Sequence, residues 1–288
     1  MRARAERPGV AAARRVVRKE VARARAVLTE HWPIPDDAIH EARKRLKRAR
    51  AALRLVRPVI GDRSYRRQNR ALRDAARPLS QMRDARVLVE TFDRLMKKPW
   101  DRARRSLGAL HSQLMADPLR LRTQLLPDSK SLDPILERLD AVRRNARRWR
   151  GRRAGWPRMR AGLRQVYRSG RDAFAATRER PTVARLHEWR KQAKYLWHVL
   201  EIVEPMRPRR ISRLALEAHR LSDRLGEDHD LAVLLQRLRR GGRVPKATLT
   251  FVTERIDERR KRLQEQATKL GEGLYAERPS AFVATLES

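Results

Sequence analysis

No cysteine occurs in the 288 residues. That excludes a disulfide scaffold, a cysteine nucleophile and thiolate zinc sites, and it suits a reducing compartment. Aromatic residues make up only 5% of the chain. A single-strand binder that stacks bases needs more exposed rings than this. The 12 glycines are scattered, so no Gly-rich loop is available to cradle a phosphate. No apolar run approaches the roughly 18 to 20 residues that a membrane span requires. The basic start, Met1 to Glu6, leads into no apolar signal segment. The expectation is a soluble, cytoplasmic protein with no metal and no cofactor.

Positive charge is what the chain has in excess. Lys and Arg number 71 against 34 Asp and Glu, a formal net charge of +37, and arginine supplies 60 of the 71. Cations at this density repel one another and weaken the compact state unless a polyanion balances them. The candidate partners are nucleic acid, an anionic membrane surface and polyphosphate. Hydrophobic residues form 41% of the chain, enough for a helical core.

The apolar spacing is helical nearly throughout, with no alternation and no hairpin turn. Helices are expected over 11–30, 38–57, 63–81, 84–97, 100–125, 132–150, 157–178, 182–204, 209–225, 229–240 and 246–274. The breaks include Pro58 to Gly61, Pro99, Gly151 to Pro157, Pro205 to Pro208 and Gly241 to Pro245. The fold class is therefore all-α.

An internal repeat organises these helices. Ile39-His40-Glu41-Ala42-Arg43-Lys44 returns as Leu186-His187-Glu188-Trp189-Arg190-Lys191, and Lys47, Leu53, Val56 and Pro58 match Lys194, Leu200, Val203 and Pro205. A second block pairs Leu79, Asp84, Val87 and Leu88 with Leu225, Asp230, Val233 and Leu234. Two blocks in one order at nearly one offset indicate two halves, about 1–150 and 151–288. On a helix, Ile39, Ala42, Leu46, Ala49, Leu53 and Val56 form an apolar seam. His40, Arg43, Lys44 and Lys47 project from another side at i, i+3, i+4, i+7. Leu186, Trp189, Ala193, Leu196, Leu200 and Val203 repeat the seam, and His187, Arg190, Lys191 and Lys194 repeat the basic stripe. Like charges at these spacings weaken a helix, so a stripe occurring twice points to an anionic partner. Arg66, Arg67, Arg70 and Arg73 carry a further stripe in the first half. Arg213 and Arg220 stand in the corresponding region of the second, and Arg168 and Arg171 precede His187.

A His-x-x-Arg-Lys-x-x-Lys helix in each half, followed by an Arg-bearing helix that reaches Arg83-Asp84 or His229-Asp230, resembles the CHAD family, the conserved-histidine α-helical domain. The resemblance runs from about residue 10 to 280, in the stand-alone form without a CYTH domain. It implies two four-helix bundles related by a pseudo-twofold axis, with a basic cleft or pore between them that binds inorganic polyphosphate. It also admits targeting to polyphosphate granules. Carried over residue by residue, it makes His40, Arg43, Lys44, Lys47, His187, Arg190, Lys191 and Lys194 the principal contacts. Arg50, Arg66, Arg67, Arg70, Arg73, Arg83, Arg168, Arg171, Arg213 and Arg220 are added contacts. Read from the residues alone, Asp84 and Asp230 are expected to pair with and orient basic side chains or to cap a helix. The sequence departs from the pattern at Trp197, which matches Arg50, and at Glu201, which opposes Arg54. Both shorten the second-half face.

Two other functions compete with a non-catalytic polyphosphate binder. An HD-type metal phosphohydrolase would use His229-Asp230 with His198, His219 and Asp257, yet the matching dipeptide Arg83-Asp84 offers no metal ligand. The run Glu227-Asp228-His229-Asp230 is expected to be a capped helix start with solvated acids rather than a cation site. Nucleic acid is the secondary partner, through Arg143, Arg144, Arg147, Arg148, Arg150, Arg152 and Arg153. The six tryptophans, at 32, 100, 149, 156, 189 and 197, are expected in the core.

Overall fold

The structure, a computed structural model, describes residues 9–96, 101–149, 155–240 and 245–287. The described residues form helices and no strand, as the spacing predicts. In the first half α1 spans Val10–Thr29, α2 Asp36–Leu55, α3 Arg57–Ile60, α4 Asp62–Met96, α5 Asp101–Leu125 and α6 Asp133–Arg147. In the second half α7 spans Trp156–Glu179, α8 Val183–Val203, α9 Pro208–Arg240, α10 Lys246–Leu274 and α11 Pro279–Glu287. The same order recurs in both halves: two helices, a short turn of helix, a very long helix, a long helix and a shorter one.

Local signals place the helix ends. Asp36 and Asp37 fill the first turn of α2, where the exposed N–H groups favour negative charge. The hydroxyl of Thr182 accepts from the Arg185 N–H at 3.2 Å and caps α8. Helices α1, α2, α4 and α6 pack as one bundle, and α7, α8, α9 and α10 continue the chain of contacts in the second half. The halves meet where α2 lies on α8 and where α2 and α3 lie on α7. Gly162 of α7 makes that last approach close, because a Cβ there would stand 1.9 Å from the Leu55 carbonyl oxygen.

The expected breaks at 82–83 and 226–228 do not exist. Helices α4 and α9 run unbroken through both. What changes there is the buried face. In α4 the residues from Tyr65 to Met82 enter a large core shared by both halves. Val89 and Phe92 instead enter a second core with Leu107 and Leu114 of α5 and with residues of α9 and α10. Helix α9 repeats the switch, from Leu225 in the first core to Leu231, Leu234, Leu235 and Leu238 in the second. At 100° per residue the two stripes differ by about a third of a turn, which mimics a helix end in the sequence. Glu227 and Asp228 accordingly cap nothing. Arg259 Nε donates to Glu227 at 2.8 Å, and Asp228, 1% exposed, receives Arg260 Nε at 3.0 Å and Gln264 Nε2 at 2.8 Å. Both acids fasten α10 to α9.

The two apolar seams lie in the first core as predicted, from Ile39 to Val56 and from Leu186 to Val203. Trp149, Trp156 and Trp189 are buried, but Trp32 is 43% exposed. Trp197 is half-buried, stacked on His198 and His219 with centroids 4.3 and 3.8 Å away. Trp100, Arg150, Arg152 and Arg153 lie outside the described residues, as do the N-terminal start and most of the junction expected between the halves.

Candidate functional site

The site occupies the polar layer between the two cores. Between the cores, Asp84 of α4 and Gly226, His229 and Asp230 of α9 face it, and the stripes of α2 and α8 enter from the side. Two residues of the α2 stripe feel their counterparts on α8, Lys47 the charge of Lys194 and Arg43 that of Arg190. Asp84 and Asp230 sense one another as well. Self-facing pairs are the contact pattern of a twofold axis.

This arrangement concentrates cations. Lys47 and Lys194 are half-buried, and among the described residues neither has a carboxylate within ion-pairing distance. Burial and the charges of Lys194, Arg43 and Arg190 push Lys47 down to about 6. Burial and Arg190 push Lys194 to about 8, against the partial relief of Asp223 and Asp230. Arg43 donates through Nη2 to Asp84 Oδ1 at 3.0 Å. Its Nε and the Nε of Arg190 are buried without a hydrogen-bond partner. A ligand with several acceptor oxygens would satisfy both, since each guanidinium is a fixed fork of donors. Gly226 provides the seat for Arg190, whose Nε is 3.4 Å from where a Cβ would be.

The histidines take equivalent places. His187 stands beside His229 with ring centroids 4.4 Å apart. His40 feels Arg83, which matches His229 in the repeat. Burial, with the surrounding cations, holds His40 and His187 below the usual imidazole range, and His229 falls to about 4. The Nδ1 atoms of His187 and His229 are buried and unpartnered. Burial raises Asp230, against the pull of Arg190, Arg94 and Lys194.

Other predicted contacts are paired with acids or lie outside this group. Lys44 pairs with Glu41 at 3.0 Å and Lys191 with Glu188, in the same i−3 geometry at the rim. Glu41 and Glu188 thus temper the stripes. Arg83 forms a two-pronged pair with Glu90 at 2.7 and 3.0 Å. Arg66, Arg67 and Arg70 line a groove against Arg138 of α6, and Arg73 is exposed beside Asp74. Arg171 donates to the Tyr275 carbonyl at 3.3 Å, on the far side of α7, and Arg168 is exposed on the same helix. Arg213 pairs with Glu217 on an outer face, and Arg220 is exposed beyond it. Arg168, Arg171, Arg213 and Arg220 follow their helix's sequence stripe but not its cleft-facing side, whereas Arg66 and Arg73 stay on the Asp84 face of α4, several turns along it.

Glu201 explains the departure from the repeat. It receives Arg48 of α2 at 3.0 Å and His198 Nδ1 at 3.1 Å, tying the halves together. The Arg54 guanidinium sits 3.9 Å above the Tyr195 ring centre and adds a cation–π contact across the same interface. Sequence reasoning missed Asp223 and Arg94 as neighbours of the site. Asp223 was visible as a residue one heptad before Asp230, but Arg94 had no signal. The metal-site alternative finds no geometry: among the described residues no three His, Asp or Glu side chains are placed to hold an ion. No helix of the described residues is long and apolar enough to cross a membrane.

The model of the CHAD domain family matches residues 10–239. Among solved structures, PptA from Streptomyces chartreusis is similar at a TM-score of 0.63 and 15% identity, covering 94% of this chain and 100% of that one. The crystal structure of the CHAD domain from the plant Ricinus communis gives 0.57 and 19%, covering 99% and 93%. These two likenesses concern the fold. No curated protein sequence matches the chain.

Proposed function

The chain belongs to the CHAD domain family, and on that premise we propose that it binds inorganic polyphosphate without catalysing its turnover. The observation that carries this reading is the facing pair Lys47 and Lys194, hemmed in by Arg43 and Arg190 with too little counter-charge. Such a group is electrostatically unfavourable alone and becomes favourable when a multivalent anion enters. Polyphosphate suits it because the polymer has no bases to read and offers acceptors along its whole length. The cleft presents guanidinium forks, ammonium groups and imidazoles, and the stacked rings Trp197 and His219 are already partnered. The same reading takes the halves, about 1–150 and 151–288, as copies of one unit about an approximate twofold, supported by the self-facing pairs. Association with polyphosphate granules in the cytoplasm is its cellular consequence.

Competition between labelled long-chain polyphosphate and duplex DNA at fixed salt tests the proposal. Polyphosphate should displace DNA at much lower phosphate concentration, and Arg43→Ala with Arg190→Ala should remove that advantage. Preference for DNA would overturn it.

A further inference from the structure

A second cationic feature lies outside the cleft. Arg63, Arg66, Arg67 and Arg70 of α4 and Arg138 of α6 line a shallow groove of about 390 Å³ whose only acid is Asp74. Arg73 already takes that acid at 3.1 Å. Arg67 donates to Asn145 at 3.1 Å, and Arg138 to the Pro134 carbonyl at 2.7 Å, so both helices hold their arginines in place with neutral acceptors. Arg63, Arg66 and Arg70 are exposed and form no ion pair among the described residues. Five guanidinium groups with so little counter-charge repel one another, as in the cleft.

The groove is joined to the cleft. Arg50 continues the α2 stripe beyond Lys47, and its Nε donates to Asn69 Oδ1 at 2.9 Å. Asn69 lies between Arg66 and Arg70 on α4. Arg66 and Asp84 are 18 residues apart, five whole turns, so they share a face of α4 about 27 Å apart, with Arg73 and Arg77 between them. A run of cations therefore leads from Arg43 and Lys47 through Arg50 to the groove. The second half has no such extension. Arg213 is paired with Glu217, and Leu216 stands 47% exposed where a cation would be needed.

We propose that this groove between α4 and α6 is a second phosphate-binding site, which holds the segment of a polyphosphate chain that has left the cleft on the first-half side. The proposal rests on polyphosphate being the cleft's ligand. No aromatic ring lines the groove, so it offers nothing to a nucleotide base and suits a polymer of bare phosphates. Engaging both sites by one chain turns the second contact into an intramolecular one.

The test uses the full chain, with tripolyphosphate as the short probe and long-chain polyphosphate as the long one. The groove variant Arg63→Ala, Arg66→Ala, Arg70→Ala, Arg138→Ala should lose about tenfold or more in affinity for the long probe and less than about twofold for the short one. All four side chains are exposed, so folding is preserved and circular dichroism checks it. The control Arg158→Ala, Arg164→Ala, Arg239→Ala, Arg240→Ala removes the same charge elsewhere and should leave long-chain affinity within about threefold. An unchanged long-chain affinity in the groove variant, equal losses for both probes, or an equal loss in the control overturns the second site. Arg43→Ala with Arg190→Ala should weaken both probes; if wild type retains neither probe, the cleft reading itself fails, separately from the groove.

Discussion

Replacing Lys47 by Met removes a cation whose charged form the fold disfavours, and it does so without opening a cavity, since the two side chains are similar in length. With its pKa held at about 6, Lys47 in the free protein is protonated in about one molecule in a hundred at pH 8, and Lys194, at about 8, in about one in two. Phosphate oxygens beside both ammonium groups favour the charged forms and return them toward the ordinary lysine range near 10.4. Binding at pH 8 should therefore take up about 1.5 protons, roughly one at Lys47 and half at Lys194. Affinity follows with the same sign. It is highest below pH 6, where both lysines are already charged. It falls about tenfold per pH unit between 6 and 8 as Lys47 must be reprotonated, and more steeply above 8 as Lys194 joins. Isothermal titration calorimetry in two buffers of different ionisation enthalpy counts the protons directly. Lys47→Met should bind more weakly, take up about 0.5 proton at pH 8 and show a flatter pH profile; adding Lys194→Met should abolish uptake. The ligand-free protein carries the opposite signature. Its folded-state lysine pKa lies below the unfolded value, so the unfolded chain binds more protons between about pH 6 and 10 and stability rises with pH across that window. Lys47→Met should then raise the melting temperature at pH 6. Wild-type binding at pH 8 with no proton uptake would refute the reasoning, as would a Lys47→Met variant with unchanged uptake.

Two further perturbations separate the cleft from its supports. Gly226→Leu fills the space beside the Arg190 guanidinium and should cost about tenfold in polyphosphate affinity, since a charge-assisted hydrogen bond contributes about 1.5 to 3 kcal/mol, with helix content unchanged by circular dichroism. Glu201→Gln removes the carboxylate shared by Arg48 and His198 across the interface of the halves. It should destabilise the fold by about 1 to 3 kcal/mol in a urea titration while leaving tripolyphosphate affinity of the folded protein nearly unchanged.

The fold and the heart of the site were legible because they rest on periodicity. Each seam recurs every three or four residues, and two aligned seams place Arg43, Lys47, Arg190 and Lys194 on matching faces. The arginines of α7 and α9 lie away from the cleft they were expected to line, because a stripe on a helix states which residues share a face but not which neighbour that face meets. Arg171 shows this well: its spacing resembles a cleft residue, while the chain's return through Tyr275 captures it on the opposite side. The supposed helix ends near 82 and 226 failed for a related reason. A change of core and a change of element leave the same trace in a hydrophobic pattern.

That change of core also accounts for how the molecule tolerates its own cleft. Five cationic or potentially cationic groups, Arg43, Lys47, His187, Arg190 and Lys194, converge where helices α4 and α9 pass from one apolar core to the other. In a single continuous core their repulsion would be relieved by parting the helices. Here the same two helices are packed on both sides of the polar layer, from Tyr65 to Met82 and from Val89 to Phe92 in α4, and from Ile211 to Leu225 and from Leu231 to Leu238 in α9. The cations cannot separate without disturbing both cores, so they respond by losing protons, which is why the lysines rather than the helices absorb the strain. On the proposed function, an anion entering the cleft supplies the missing charge and returns the lysines to their charged form. Preorganised donors of this kind contribute to affinity because little ordering remains to be done on binding.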